Sequence, residues 1–214
     1  MPYPGTPGGL PDLALIRPGR MHEATGSGRR AFAAVLAGRL SGPVLWVRES
    51  RLADNLCPQG LRPFFDPARL VLARPTGGLA VLQVTEEALR SGAVPLVIAE
   101  LAEAADLTAS RRLQLAAGSG GGGVRGLCLL PESRARPNAA ETRWLCTPIP
   151  QSGSGGATGG RRQLWELVKN KRGCLGVWEV AWGGQAAAPR QNECQNECRN
   201  ECRNGHALRA AAYA

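Results

Sequence analysis

The chain has 214 residues, 43% of them hydrophobic, and carries a net charge of +9 at pH 7. That is enough apolar material for one sizeable core with irregular ends, which excludes a globally disordered chain. Met1-Pro2-Tyr3-Pro4-Gly5 lacks the cationic and apolar regions of a signal peptide and no apolar run reaches bilayer length, so a soluble, cytoplasmic (nucleoid-associated) protein without a membrane partner is expected.

Residues 1–19 are rich in Pro and Gly, with one short apolar segment, Leu13–Ile16, and are expected to form an irregular lead-in. A core over 20–183 follows. The spacing of Phe32, Val35, Leu36 and Leu40 predicts a helix over Arg30–Leu40. Pro43–Val47 is a continuous apolar run of strand length, and Leu70–Ala73 is a second, stopped by Arg74-Pro75. After Gly77-Gly78 a helix is expected to bury Leu79, Leu82, Glu86 and Leu89 and to end at Ser91-Gly92. Pro95–Ala99 is a third buried strand, Thr108–Ala117 another helix, and Val124–Leu130 a further strand.

Thr142–Thr147, Gln163–Val168 and Gly176–Trp182 alternate apolar and polar residues, as half-exposed strands of a hairpin-like C-terminal edge do. A mobile loop is expected over 151–160. Uniform apolar runs separated by amphipathic helices predict an α/β fold: a mostly parallel sheet, helices on both faces, and that antiparallel edge. Residues 184–214 carry a four-residue QNEC-type repeat ending in Cys194, Cys198 and Cys202. Asn and Cys are poor helix formers and zinc-finger spacing is lacking, so a disordered tail without metal is expected.

The most informative stretch is His22–Phe32. A phosphate-binding loop reads G-x-x-x-x-G-K-[ST], with backbone N–H groups cradling phosphates, a lysine on the outer two and a hydroxyl on Mg²⁺. Placing Gly28 on the second glycine puts Glu23 on the first, Arg29 on the lysine and Arg30 on the hydroxyl. Starting at Gly26 makes the loop too short and leaves the same two residues missing. Arg29 and Arg30 keep positive charge there, but arginine reproduces neither the compact ammonium nor the metal-binding hydroxyl. A tight strand-to-helix turn with both arginines solvated is the expectation.

Lys169, Lys171 and Arg172 form the best basic cluster, either an interface or DNA contact or a solvated turn. Trp144, Trp165, Trp178 and Trp182 are expected in the core rather than as base-stacking platforms. Cys57, Cys128, Cys146 and Cys174 are expected as buried thiols, and neither His22 nor His206 has a triad context.

Residues 20–183 resemble a RecA-type recombinase core. The resemblance rests on Glu87-Ala88-Leu89-Arg90-Ser91-Gly92-Ala93-Val94-Pro95-Leu96-Val97-Ile98, and on Val168-Lys169-Asn170-Lys171 with the strand ending Trp182-Gly183. Closer still is the ImuA family, also labelled SulA-like. It is matched by His22-Glu23-Ala24-Thr25-Gly26, Ser110–Ala117, Thr142-Arg143-Trp144 and Trp178-Glu179-Val180-Ala181-Trp182.

This resemblance implies a RecA-like P-loop NTPase core that has lost its catalysis and serves as an interaction module in SOS-induced translesion synthesis. Implied partners are an ImuB-like Y-family polymerase relative, an error-prone replicative polymerase and RecA, with DNA a further candidate. It sets Glu100 on the Walker B carboxylate and Glu49 near the water-activating glutamate, both expected to be vestigial alongside Gly26, Gly28, Arg29 and Arg30. It also sets Lys169 and Lys171 on lysines that lie at a subunit boundary. No catalytic residue, metal or ATP cofactor is expected. The alternatives are an active RecA-family DNA-dependent ATPase and a SulA-like cell division inhibitor.

Overall fold

A computed structural model describes residues 10–52, 54–121, 123–131, 136–150 and 161–182. In chain order its elements are β1 (Arg20–Thr25), α1 (Arg29–Gly38), β2 (Val44–Arg48), α2 (Pro58–Leu61), β3 (Leu70–Ala73), α3 (Gly78–Ser91), β4 (Leu96–Glu100), α4 (Leu107–Ser119), β5 (Arg125–Leu129), β6 (Thr142–Ile149), β7 (Arg161–Asn170) and β8 (Gly176–Trp182). The expected loop at 151–160 and the tail at 184–214 lie outside the described residues.

The strands form one sheet in the order β3-β2-β4-β5-β1-β6-β7-β8. Every pairing from β3 to β6 is parallel, and β7 and β8 add antiparallel to β6. This is the mixed α/β architecture expected from the uniform apolar runs, with its antiparallel C-terminal edge. Successive side chains on a strand point to opposite faces, so β4 supplies both cores. Leu96 and Ile98 join α1, while Val97 and Ala99 join α3 and α4.

The α1 core is organised around Phe32. Its ring sits 5.3 Å from Trp144 of β6 and 4.8 Å, edge-on, from Trp165 of β7. Trp178 lies tilted by 45° against Trp144 at 5.2 Å, and Trp182 meets Phe64 edge-on at 5.5 Å. The tryptophans expected in the core therefore pack against α1 and its surroundings. Such aromatic pairs favour edge-on or offset contact and contribute about 1 kcal/mol each beyond their burial.

Four expectations need correction. Thr142–Thr147 is no edge strand: β6 lies between β1 and β7, and Trp144 and Cys146 are fully buried. The real parallel edge is β3, which among the described residues has a strand partner on one side only, and its Val71 and Leu72 are exposed. On α3 the buried face runs Val81, Thr85, Glu86, Leu89, and Leu79 projects outward from the first turn at 70% exposure. Cys128 and Cys146 are buried thiols, whereas Cys57 is exposed at the start of α2 and Cys174 half-buried in the β7–β8 turn.

Part of the lead-in is fastened to the sheet. Gly19 N–H donates to the Val124 carbonyl at 2.7 Å, and Arg125 Nε donates to the Ile16 carbonyl at 2.7 Å. His22, fully buried in β1, completes the attachment. A carbonyl can only accept, so Nε2 is the protonated nitrogen, donating to Arg17 O at 3.0 Å. Nδ1 then accepts from the Thr142 hydroxyl at 2.8 Å, and Thr142 Oγ1 in turn accepts from Trp144 Nε1 at 3.0 Å.

Burial lowers the His22 pKa from 6.5 to about 4, against the opposing effect of its bond to Arg17. A folded pKa below the unfolded one means that the unfolded chain binds the extra proton between these values. The stability this supplies is complete above pH 6.5 and is lost as pH falls toward 4. We expect a loss of at most about 3 kcal/mol across that window from this group. Urea denaturation at several pH values, compared with His22→Gln, checks it: the variant should show a shallower decline.

Candidate functional site

β1, β2 and β4 end together at the C-terminal rim of the parallel strands, where α/β sheets place ligands. The turn after β1 is only Gly26-Ser27-Gly28 before α1 begins at Arg29. Glu23 is no part of it. β1 is bonded to β5 as far as Ala24 and to β6 as far as Thr25, so the loop has no slack before Gly26. Glu23 lies buried within the strand, ion-paired to Arg143 of β6 and accepting from Asn138 Nδ2 at 2.8 Å.

The turn is pressed against β6 and β7. Gly26 has φ +85°, and a Cβ there would lie 2.5 Å from the Cys146 carbonyl oxygen. A Cβ on Gly28 would lie 2.5 Å from Gln163 Oε1. Gly26 is thus required by its positive φ and its approach to the β6 backbone, whereas Gly28 meets only the movable amide end of Gln163. Gly28 N–H donates to Cys146 O at 2.9 Å, and Ala31 and Phe32 N–H turn back to Gly28 O. A phosphate cradle needs such donors directed outward.

Neither arginine is simply solvated. Arg29 folds back so that Nη1 donates to Gly26 O at 2.9 Å, its Nε is buried without a partner, and burial lowers its pKa. Arg30 reaches Glu100 Oε1 with Nε at 2.8 Å and Nη2 at 2.5 Å, while its Nη1 meets Asp54 Oδ2 at 2.5 Å. Burial opposes the Arg30 charge, but hydrogen bonds to Asp54 and Glu100 outweigh it and raise the pKa. The same bond holds the Asp54 carboxyl down at about 2.

Two further residues complete the cluster. Arg48, the last residue of β2, is fully buried; its Nε lies 3.4 Å from Glu100 Oε2 and its Nη2 donates to Asp54 Oδ1 at 3.2 Å. Trp46 Nε1 donates to Glu100 Oε2 at 3.4 Å. Glu100, itself buried, therefore faces two guanidiniums and an indole N–H. Arg48 stood in the sequence only as the polar stop of an apolar run, and Asp54 gave no signal. An arginine two residues past a core tryptophan on the same strand was the available clue, because side chains two apart share a face.

The remaining candidates divide between the two ends of the sheet. Glu49 pairs with Arg51 at 3.1 Å and lines, with Glu100, Leu79, Asp106 and Arg112, a groove of about 590 Å³ beside the rim. Lys169, Lys171 and Arg172 lie at the far end. Lys169 Nζ donates to Asn138 O at 2.8 Å, Lys171 Nζ to Ala139 O at 2.6 Å, and Arg172 Nε to Glu141 Oε1 at 3.0 Å. Burial, with Lys171 and Arg143 nearby, lowers the Lys169 pKa. The three cations hold the segment leading into β6 and do not join the turn.

The residues at the turn do not suit a magnesium-bound nucleotide. A guanidinium fills the hydroxyl position, the outer-phosphate ammonium is replaced by an arginine turned onto its own backbone, and the rim carboxylate is already neutralised.

No protein-family model matches the chain. Two relatives, each called Protein ImuA, come from Caulobacter vibrioides strains NA1000 / CB15N and ATCC 19089 / CIP 103742 / CB 15. Each is 34% identical, with 82% of this chain and 77% of the relative covered. Among solved structures, SulA from Pseudomonas aeruginosa gives a TM-score of 0.43 at 22% identity, over 52% of this chain and 97% of that one, a likeness too slight to carry an argument.

Replacing Glu100 by Gln would leave Arg48 charged and buried beside a neutral amide. Breaking a buried pair from one side costs about 3–5 kcal/mol. Glu100→Gln should therefore lower unfolding free energy by about 3 kcal/mol in urea titration, whereas a carboxylate kept only for a metal would be replaced with little loss.

Proposed function

The chain belongs to the ImuA family, and we propose that it works in SOS-induced, error-prone translesion DNA synthesis as a RecA-like adaptor without catalysis. The observation that carries this reading is the pairing of Arg30 with Glu100. If Glu100 descends from a Walker B carboxylate, an internal guanidinium has taken the place of the cation it would hold. A fold of this kind then keeps its rim assembled without nucleotide, and its work moves from hydrolysis to binding.

The lost lysine and hydroxyl, the closed turn and the neutralised carboxylate all support an adaptor over a motor. Its partners in this reading are an ImuB-like Y-family polymerase relative, an error-prone replicative polymerase and RecA. The protein would organise them at damaged or RecA-coated DNA.

Purified protein should capture an ImuB-like partner in pull-down, and deletion of its gene should abolish most damage-induced mutation. It should show no ATP turnover above background with single-stranded DNA, and magnesium ATP should leave its melting temperature unchanged. Turnover that disappears in Glu49→Gln or Glu100→Gln would overturn the proposal, as would a deletion strain that mutates normally.

A further inference from the structure

A second groove, of about 730 Å³, lies on the α1 side of the sheet, between α1, α2 and the strand ends at Ile149, Arg161 and Trp182. Leu56, Leu61, Phe64 and Trp182 give it an apolar floor, with Trp182 edge-on to Phe64. No carboxylate lines it, whereas Arg30, Arg161 and Arg162 do. Arg30 is neutralised by Asp54 and Glu100, and Arg162 by Glu179. Arg161 is exposed and has no ion-pair partner among the described residues. Gln163 and Trp165 are buried toward α1, so alternation sets Arg161 on that face too. The groove is apolar, with one cation that the fold does not use.

The chain leaves the described structure at this groove. Trp182, its last described residue, is paired in register with Arg161, so residues 183–214 set out about 5 Å, backbone to backbone, from that cation. Gly183-Gly184-Gln185-Ala186-Ala187-Ala188-Pro189-Arg190 comes first, and then the repeat over 191–202, with Arg203 after it. In a chain of net charge +9 the repeat is acidic: Glu193, Glu197 and Glu201 stand against Arg199 alone. Each glutamate is followed by a cysteine, a small side chain of apolar character. Every unit therefore offers a carboxylate for Arg161 and a thiol for the apolar floor.

Reach selects the same surface. A flexible chain from Trp182 to Glu193 spans about 18 Å on average. Lys169 lies about 26 Å along β7 from Arg161, and Lys169, Lys171 and Arg172 are already bonded to the segment before β6. A tether of this length holds the repeat beside the groove at about millimolar effective concentration, so a weak contact suffices.

We propose that the repeat over 191–202 docks back into this groove of its own chain, its carboxylates on Arg161 and its thiols beside Cys57, the exposed cysteine of the lining. The groove is then occupied from within, and a partner segment must displace the tail to enter it.

Cys57 reports the occupancy. Alkylation of the full chain with iodoacetamide, read by peptide mass spectrometry, gives its rate against that of Cys174 in the distant β7–β8 turn. At low salt Cys57 should react at least about threefold more slowly in the wild type than in Arg161→Glu. Loss of a nearby cation would by itself slow the thiol, so a faster rate reports uncovering. Salt at about 0.5 M should remove the difference by screening. The triple change Glu193→Lys, Glu197→Lys and Glu201→Lys should match Arg161→Glu, and all four changes together should restore the slow rate. Circular dichroism checks that each variant is folded. Equal rates in wild type and Arg161→Glu, no recovery in the combined variant, or protection that grows with protein concentration would each overturn the proposal. The last outcome would assign the groove to the tail of another copy. No nucleotide, polymerase partner or DNA enters the test, so its failure is independent of the adaptor reading.

Discussion

A carboxylate at the end of a fully buried parallel strand must find positive charge or lose its own. Glu100 is that carboxylate, and the rim of the sheet is arranged around its solution. Arg30 approaches from α1, Arg48 from β2, and Asp54 from the segment after β2 balances the second guanidinium. Two cations and two anions sum to zero, which lets Arg48 and Glu100 sit buried while Asp54 and part of Arg30 face solvent. Arginine suits this task better than lysine, because its planar fork binds two carboxylates at once and holds its charge through burial. The cluster ties α1, β2, β4 and the Asp54 segment into one unit.

The same cluster resolves a conflict at the head of α1. Arg29 and Arg30 occupy the first turn, which carries no acidic residue, and cations there oppose the helix dipole. In a nucleotide-binding protein the favourable anion at that position would be phosphate. Here Glu100 and Asp54 reach the first turn through Arg30 and supply negative charge from within the chain. Meanwhile the Gly28 N–H is taken by Cys146 of β6, so the closed turn depends on β6 lying beside β1. Sheet order and the closed turn are two sides of one arrangement.

Much of the fold was legible because its signals are local. The runs at 44–47, 96–99 and 125–129 are apolar at every or nearly every position, as strands buried on both faces must be, and Gly92 closes α3 with φ +62°. Lateral order was not legible. Leu70–Ala73 is as apolar as Leu96–Ala99, yet one lies at the edge and the other at the centre, and composition carries no record of which neighbour arrives. The turn was legible as a place and misjudged in extent, since only the pairing of β1 with β5 and β6 shows that the strand continues to Thr25. Arg48 and Asp54 were missed because an ion-pair network joins residues far apart in sequence, and no spacing rule links Arg30 with Glu100.

The basic composition also changes meaning once the side chains are placed. Many cations are engaged with the chain's own backbone: Arg69 on Ala37, Leu40 and Gly42, Arg39 on Pro11, Arg74 on Ser50, Arg125 on Ile16, Lys169 on Asn138, Lys171 on Ala139. A guanidinium bonded to a carbonyl keeps its full charge, so the long-range positive field persists. Its donor fork, however, is directed inward and is no longer available to grip a phosphate. Charge that steers and charge that binds are separable, and in these six residues the donors are spent on the fold while the charge still contributes to the field.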